Sequence, residues 1–306
     1  MYKLGSVPGI SANISELADF LEIKCLFSDE RFYSINSARS TLSIESDEYR
    51  NEGVESEDDV ILRKLEDTLQ EIEERIRRSN NRYPFTTERS QIRLDRLESA
   101  FDYVYLYLLL ATRINMGTER MAGEVDGTLL FEELSSYVAK SYFGENSNSI
   151  IFGTSAREAG TFRDKILFLL SSLNEGGSFK EPIGSTGKQN DGKLDIVVWK
   201  PFRDNRGSKL IGLGQCKTGT SWNGALGQLQ PSAFFGSYTT CCPYHDPVRL
   251  FFIAESCTER WEETARIAGI LFDRCRFMDY LPENLPEELL IKVKTWVDSM
   301  ITKYRN

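Results

Sequence analysis

Three side chains stand out by type and spacing: Asp195, Gln215 and Lys217. Asp195 enters an apolar run, Ile196 to Trp199. A polar loop with Pro201, Asn205 and Gly207 follows, and a second apolar run, Leu210 to Leu213, leads into Gln215-Cys216-Lys217. Two short runs of strand composition joined by a turn-rich loop predict a β-hairpin. Alternate residues of a strand share a face, so Gln215 and Lys217 point the same way. An acid on one strand, with an amide oxygen and an ammonium on the next, can hold a divalent cation beside a positive charge. That combination suits hydrolysis of a phosphodiester, in which the metal activates water and the lysine offsets charge developing on the phosphate. Asp is unfavourable at a strand entrance unless it caps something or has a chemical role. Gln215 is a neutral donor, which a hard cation accepts with less attraction than a carboxylate. The set therefore calls for one more acid.

The elements around this hairpin read as alternating helix and strand. Leu129 to Phe143 is predicted as a helix stopped by Gly144. Ile150 to Thr154 reads as a short strand and Thr161 to Leu173 as a helix. After the hairpin, Ser221 is expected to cap a helix with Trp222, Leu226 and Leu229 on one face, kinked or ended by Pro231. Val248 to Ala254 reads as a buried strand. Trp261, Ala265, Ala268, Phe272 and Cys275 predict one long amphipathic helix. Pro286 opens a last helix with Leu289, Val293, Val297, Met300 and Tyr304. This order fits an α/β domain with a mixed sheet.

Asp191-Gly192, Asp195, Gln215 and Lys217, in that order on one hairpin, resemble the PD-(D/E)xK nuclease superfamily. Within it they resemble the Mrr-like branch of restriction enzymes, which shows Asp-Gly-x-x-Asp and then Gln-x-Lys where other members have Glu-x-Lys. The resemblance covers roughly the C-terminal half of the chain. It implies a restriction-endonuclease-like mixed β-sheet core flanked by helices, in residues 119–306, preceded by an N-terminal helical region, residues 1–118, that packs, regulates or oligomerises. In such enzymes a helix bearing a Phe-Glu pair precedes the sheet and its Glu joins the metal site. Phe131-Glu132 matches that pair, with Glu133 and Glu158 as the other candidates. The implied site is thus Asp195, Gln215 and Glu132 around Mg²⁺, with Mn²⁺ as a substitute, and Lys217 beside it; Asp191 assists the metal or stabilises the turn. The implied activity is cleavage of DNA, in a prokaryotic restriction or anti-phage setting, alone as a homo-oligomer or with a partner such as an ATPase or helicase subunit. The alternatives are an RNase with the same core, and a non-catalytic adaptor or DNA-binding subunit that keeps the fold.

Composition bounds these readings. The 306 residues carry a net charge of −9, which argues against a chain coated in phosphate-binding residues. Locally, Lys188, Lys193, Lys200, Arg203, Arg206, Lys209 and Lys217 cluster about the hairpin, either as a basic groove or as a solvated loop, while much of the acid falls between Glu45 and Glu74. No apolar run approaches the roughly 20 residues of a membrane span. No secretory signal is evident, and six cysteines without scaffold spacing suggest a reducing cytoplasm. His245 is the only histidine, which disfavours multi-histidine metal chemistry. Cys241-Cys242-x-x-His245 has zinc donors but no paired CxxC. Cys216 has no histidine nearby to activate it as a nucleophile. Gly184-x-x-Gly187-Lys188 lacks the spacing of a P-loop.

The N-terminal third is expected to be helical. Asn13-Ile14-Ser15-Glu16 has capping-box spacing and opens a helix to about Leu26. Phe32 to Ser43 is ambiguous. Ser46 to Asp59 is acidic and apolar-poor, as a linker or exposed loop is. Ile61, Leu65, Leu69, Ile72 and Ile76 form one helical stripe, and Asn80 to Pro84 stops it. A second helix is predicted from Glu88 to Met116, forming an antiparallel helical hairpin with the first, and Gly117 with the Gly123 to Gly127 segment marks a boundary.

Overall fold

The computed structural model describes residues 2–9, 11–46, 57–95, 97–152, 160–182 and 193–305. The acidic linker around 47–56, Glu158, Asp191-Gly192, Lys188 and the Gly184 to Gly187 turn lie outside the described residues. The chain forms a mixed α/β protein built on a five-stranded sheet, with helices on its faces and N-terminal helices packed against one of them.

The N-terminal third begins with α1 (Ile14–Phe27), capped by Asn13, whose side chain accepts from the Glu16 N–H. The ambiguous segment resolves into β1 (Phe32–Ser34) and α2 (Ile35–Ser46). The predicted stripe is α3 (Glu57–Arg78), in which Ile61, Leu65 and Ile72 are buried. The second predicted helix is corrected. Its first part is a hairpin, β2 (Phe85–Glu88) and β3 (Gln91–Leu94), and only α4 (Ala100–Arg113) is helical. The reason is local. Arg89 takes a left-handed backbone at φ 54°, and burial from Gln91 to Leu94 follows strand alternation. Ser99 and Asp102 then start α4 as a reciprocal capping box. Instead of forming a helical hairpin with α4, α3 packs on α1 and α2, and α4 packs on the C-terminal helix α10 (Glu287–Arg305).

Residues 121–126 form a small hairpin, β4 (Met121–Ala122) and β5 (Val125–Asp126), and Asp126 caps α5 (Gly127–Phe143). The main sheet uses β6 (Asn148–Ile151), β7 (Ile196–Lys200), β8 (Leu210–Lys217), β9 (Val248–Ile253) and β10 (Ile270–Phe272), in the order β10-β9-β8-β7-β6. The pairs β6–β7 and β7–β8 are antiparallel, and β8–β9 and β9–β10 are parallel. The helix α6 (Phe162–Leu173) lies between β6 and β7 in sequence. The region after β8 differs from expectation: Trp222–Ala225 is a single 3-10 turn, and Pro231 begins a helix, α7 (Pro231–Tyr238), instead of ending one. Proline fits there because a first-turn N–H has no intrahelical partner to lose.

The expected long helix from Trp261 to Cys275 is also corrected. It divides into α8 (Trp261–Ala268), β10 and α9 (Arg274–Asp279). Gly269 makes the break, with φ +82° and a backbone so close to β9 that a Cβ would lie 2.6 Å from the Arg249 carbonyl oxygen. The apolar period of 3.6 through Phe272 and Cys275 was genuine burial, but in a strand and a short helix.

One face of the sheet, with Ile196, Val198, Cys216, Leu250 and Phe252, shares a continuous apolar core with α1, α4, α5, α9 and α10. That core joins side chains from both sides of residue 118. The opposite face, with Val197, Trp199, Ile211 and Leu213, packs against α6 and α7. Among the described residues no helix is long and apolar enough to cross a membrane.

Candidate functional site

The predicted hairpin is present, and its register places the singled-out residues. The last ladder pair of β7 and β8 is Ile196↔Gly214. Asp195 stands just beyond it, where the ladder would otherwise leave the Cys216 N–H without an acceptor. Its Oδ2 accepts that N–H at 2.7 Å. Its own backbone is held on both sides: the Asp195 N–H donates to the Gly214 carbonyl at 3.0 Å, and its carbonyl accepts from the Phe152 N–H at 2.7 Å. The acid at the strand entrance therefore caps the end of β8. It is 9% exposed.

Alternation along β8 assigns the faces. Gln215 and Lys217 pair with Phe251 and Ile253 of β9 and share the face of Leu213, whereas Cys216 pairs with Phe252 on the face covered by α5. Lys217 is half-buried at the strand end. Gln215 is 1% exposed, and neither its amide oxygen nor its amide nitrogen has a hydrogen-bond partner. An amide buried in that state costs on the order of 1–3 kcal/mol, so it is the least explained polar group of the sheet.

The helix acids separate clearly. Helix α5 runs back along β8. Phe143 packs over Gly212, where a Cβ would sit 2.7 Å from the ring. From Phe143 back to Glu132 is roughly 16 Å at ~1.5 Å per residue, and from Gly212 to Lys217 is also roughly 16 Å at ~3.3 Å per residue. Glu132 is thus level with the end of β8. Its charge reaches the Cys216 thiol, which burial first, then the Asp195 and Glu132 carboxylates, push well above the ordinary range, with Lys217 opposing. Glu133 faces elsewhere and is tied to Lys292 of α10 at 2.7 Å. The structure therefore brings Asp195, Glu132 and Lys217 around Cys216, with Glu132 approaching from the α5 face and Gln215 pointing to the other. Among the described residues no three His, Cys, Asp or Glu side chains gather as a metal site. A cation here would depend on the Gln215 amide.

A second polar cluster escaped the sequence reading. Asp19 is fully buried and accepts from Arg75 at 2.7 Å, Arg113 at 2.7 Å and Arg274 at 2.8 and 3.0 Å. Glu22, equally buried, accepts from Arg75, Tyr83 and Tyr105. The guanidiniums hold the Asp19 carboxyl far below the usual range despite burial, while burial raises Glu22. The cluster extends through Arg113 to Glu255, whose carboxylate accepts from the Trp222 indole at 2.6 Å. Trp222 opens the turn that follows Lys217. The available signal was an Asp and a Glu at i,i+3 among the apolar residues of α1, with an Arg beside the apolar stripe of α3. The exposed Cys241, Cys242 and His245 form no metal cluster with a third acid or thiol among the described residues.

Compared with known protein families, with curated proteins and with solved structures, the chain matches none of them.

Proposed function

We propose that this chain is a metal-dependent endonuclease that hydrolyses DNA phosphodiester bonds, with a restriction-endonuclease-like core. The observation that carries the reading is Gln215: a buried amide without hydrogen-bond partners, one residue from the N–H capped by Asp195 and on the same face as Lys217. The sheet supports it too, since a mixed sheet flanked by helices is what the resemblance implies. Asp195 and Gln215 are the residues that would hold Mg²⁺ or Mn²⁺, while Glu132, on the α5 face, adds negative charge across the strand end and does not reach the face of the Gln215 amide. The two fit in donor type, because both offer the oxygen atoms hard cations prefer, and the Gln215 oxygen has no other partner. When bound, such an ion polarises a phosphoryl oxygen and lowers the pKa of water. Lys217 supplies a compact ammonium at the strand end to offset charge on the phosphate, and Asp195 keeps the end of β8 in register. A role in defence against foreign DNA, with or without an ATPase partner, belongs to the same proposal.

The test is single-turnover cleavage of plasmid DNA by the full chain in Mg²⁺. Lys217→Ala is expected to lose on the order of 10²–10³ in rate while keeping its circular dichroism, and Lys217→Arg is not expected to rescue it. Near-wild-type cleavage by folded Lys217→Ala would refute the site. A second reading, an inactive adaptor, is favoured by the structural use of the Asp195 carboxylate as a cap. DNA binding without metal-dependent cleavage would select it.

A further inference from the structure

A cavity of about 760 Å³ lies along β6. Its floor includes Ser149, Ile150, Ile151 and Phe152 in succession. Consecutive strand residues point to opposite faces, so a cavity against one face would touch every second residue. Contact with all four means that the cavity lies against the strand's edge. β6 is the last strand of the sheet, and among the described residues nothing pairs with its outer side. One wall is α5 and the other is α6, the helices on the two faces of the sheet. The space is therefore shaped as one further strand position, walled above and below.

The hydrogen-bonding side of β6 can be assigned. The Phe152 N–H points inward, to the Asp195 carbonyl. Alternation turns that of Ile150 inward as well, and those of Ser149 and Ile151 outward into the cavity.

Charge narrows the occupant. The lining carries three acids, Glu124, Asp126 and Glu133, and three lysines, Lys140, Lys165 and Lys292. Arg120 pairs with Asp126 at 3.2 Å and Lys292 with Glu133 at 2.7 Å. A balanced lining gives no track for a phosphate backbone, whose binding rests on accumulated cations. With Asp126 and Glu133 tied to Arg120 and Lys292, Glu124 and Lys140 mark the two ends of the lining. The Ser136–Ser149 hydroxyl contact fixes α5 against β6, so Lys140 lies toward the Asn148 end and Glu133 toward the Ile151 end. Exposed Leu129 and Phe168 supply apolar contact.

We propose that this slot receives an extended peptide segment of a partner protein, added to the sheet beside β6. The peptide alternates apolar residues, carries a basic side chain near Glu124, and carries an acidic one near Lys140. This is strand addition, with main-chain bonds supplying affinity and flanking side chains supplying choice. It stands independently of the nuclease reading.

The experiment is selection of random displayed heptapeptides on the full chain, followed by fluorescence polarisation with the selected peptide. Alternating sequences with the stated charge order are expected. Ile151→Pro removes an outward N–H without removing an inward ladder bond, as an edge strand tolerates. It should weaken binding by about tenfold or more. Lys140→Glu, a surface change, should reverse the charge preference at one end of the selected sequences. The proposal is overturned if no sequence is enriched, if Ile151→Pro with unchanged circular dichroism binds as wild type does, if Lys140→Glu selects the same charges, or if a single-stranded oligonucleotide displaces the peptide from the groove.

Discussion

Replacing Gln215 by Met should make the protein more stable and leave it inactive. The two side chains have similar length and volume, so the change keeps the packing against Leu213 and Phe251 and removes only the amide. In the native sheet that amide is 1% exposed and unpartnered at both its oxygen and its nitrogen. Leaving such a group dry costs on the order of 1–3 kcal/mol, and Met has no equivalent penalty. The expected gain is about 1–3 kcal/mol, or a melting temperature higher by about 2–5 °C for a chain of this size. The assay is urea unfolding followed by circular dichroism, with and without Mg²⁺, and plasmid cleavage in parallel. Mg²⁺ should stabilise the wild type more than the variant, since a ligand of the native state adds stability in proportion to its occupancy. Two results refute the reasoning separately. A loss of stability beyond about 1 kcal/mol in Gln215→Met means the amide is hydrogen-bonded in the native protein. A stabilised variant that still cleaves DNA means the strain at Gln215 has no part in the chemistry.

Asp19→Asn should destabilise by about 3–5 kcal/mol, because it leaves three buried guanidiniums short of a charge; urea unfolding measures it, and a loss under about 1 kcal/mol would contradict the ion cluster. The pH dependence follows from the sign of the Asp19 shift. A carboxyl depressed in the native state contributes its stability above its unfolded pKa of about 4 and loses it as pH falls through the native value, so the variant should show a shallower acid-unfolding slope. Gly269→Ala places a Cβ 2.6 Å from the Arg249 carbonyl oxygen at a φ of +82°, so it should cost about 2 kcal/mol or more and loosen β10 from β9, read as lost hydrogen-exchange protection. With a thiol reagent at pH 8, exposed Cys241 and Cys242 should react in the native state, while buried Cys25 and Cys257, pushed up to about 12, and Cys275, pushed up to about 11, should wait for unfolding.

The hairpin was legible because its signals are local. Apolar runs of strand length, a loop rich in turn formers and a polar Gln-x-Lys end report on the residues that carry them. The cap of α1 and the start of α10 were readable for the same reason. What was not legible depended on contact. Residues 261–275 have a helical period, yet the position of β9 decides that Ile270–Phe272 pair as a strand. Gln91–Leu94 could join a helix on pattern alone, but β1 and β2 hold it as the middle strand of a small sheet. The choice between Glu132 and Glu133 lay in helix rotation. One residue of phase turns Glu133 to Lys292 and leaves Glu132 beside the strand end. Asp195 was singled out for a reason that proved double-edged: the cap it makes to Cys216 is itself enough to explain an Asp at that position.

The buried cluster gives the N-terminal helices a more specific role than covering the sheet. Asp19 of α1 gathers arginines from α3, α4 and α9, so elements far apart in sequence meet at one carboxylate. A charge buried this completely contributes little net stability over an apolar replacement, but removing one partner is costly. Such a cluster therefore acts by fixing geometry. The geometry it fixes leads to the site. Arg113 holds Glu255 at the end of β9, Glu255 holds the Trp222 indole, and Trp222 anchors the turn leaving Lys217. The Ala254 N–H donates to the Lys217 carbonyl, which closes the loop between the two strand ends. The strand end that carries Lys217 is thus set from two directions, by Asp195 on the hairpin side and by the arginine cluster through Glu255 on the other. On the proposed reading, in which Lys217 offsets charge on a phosphate, such support is required, because a long side chain cannot define its own position.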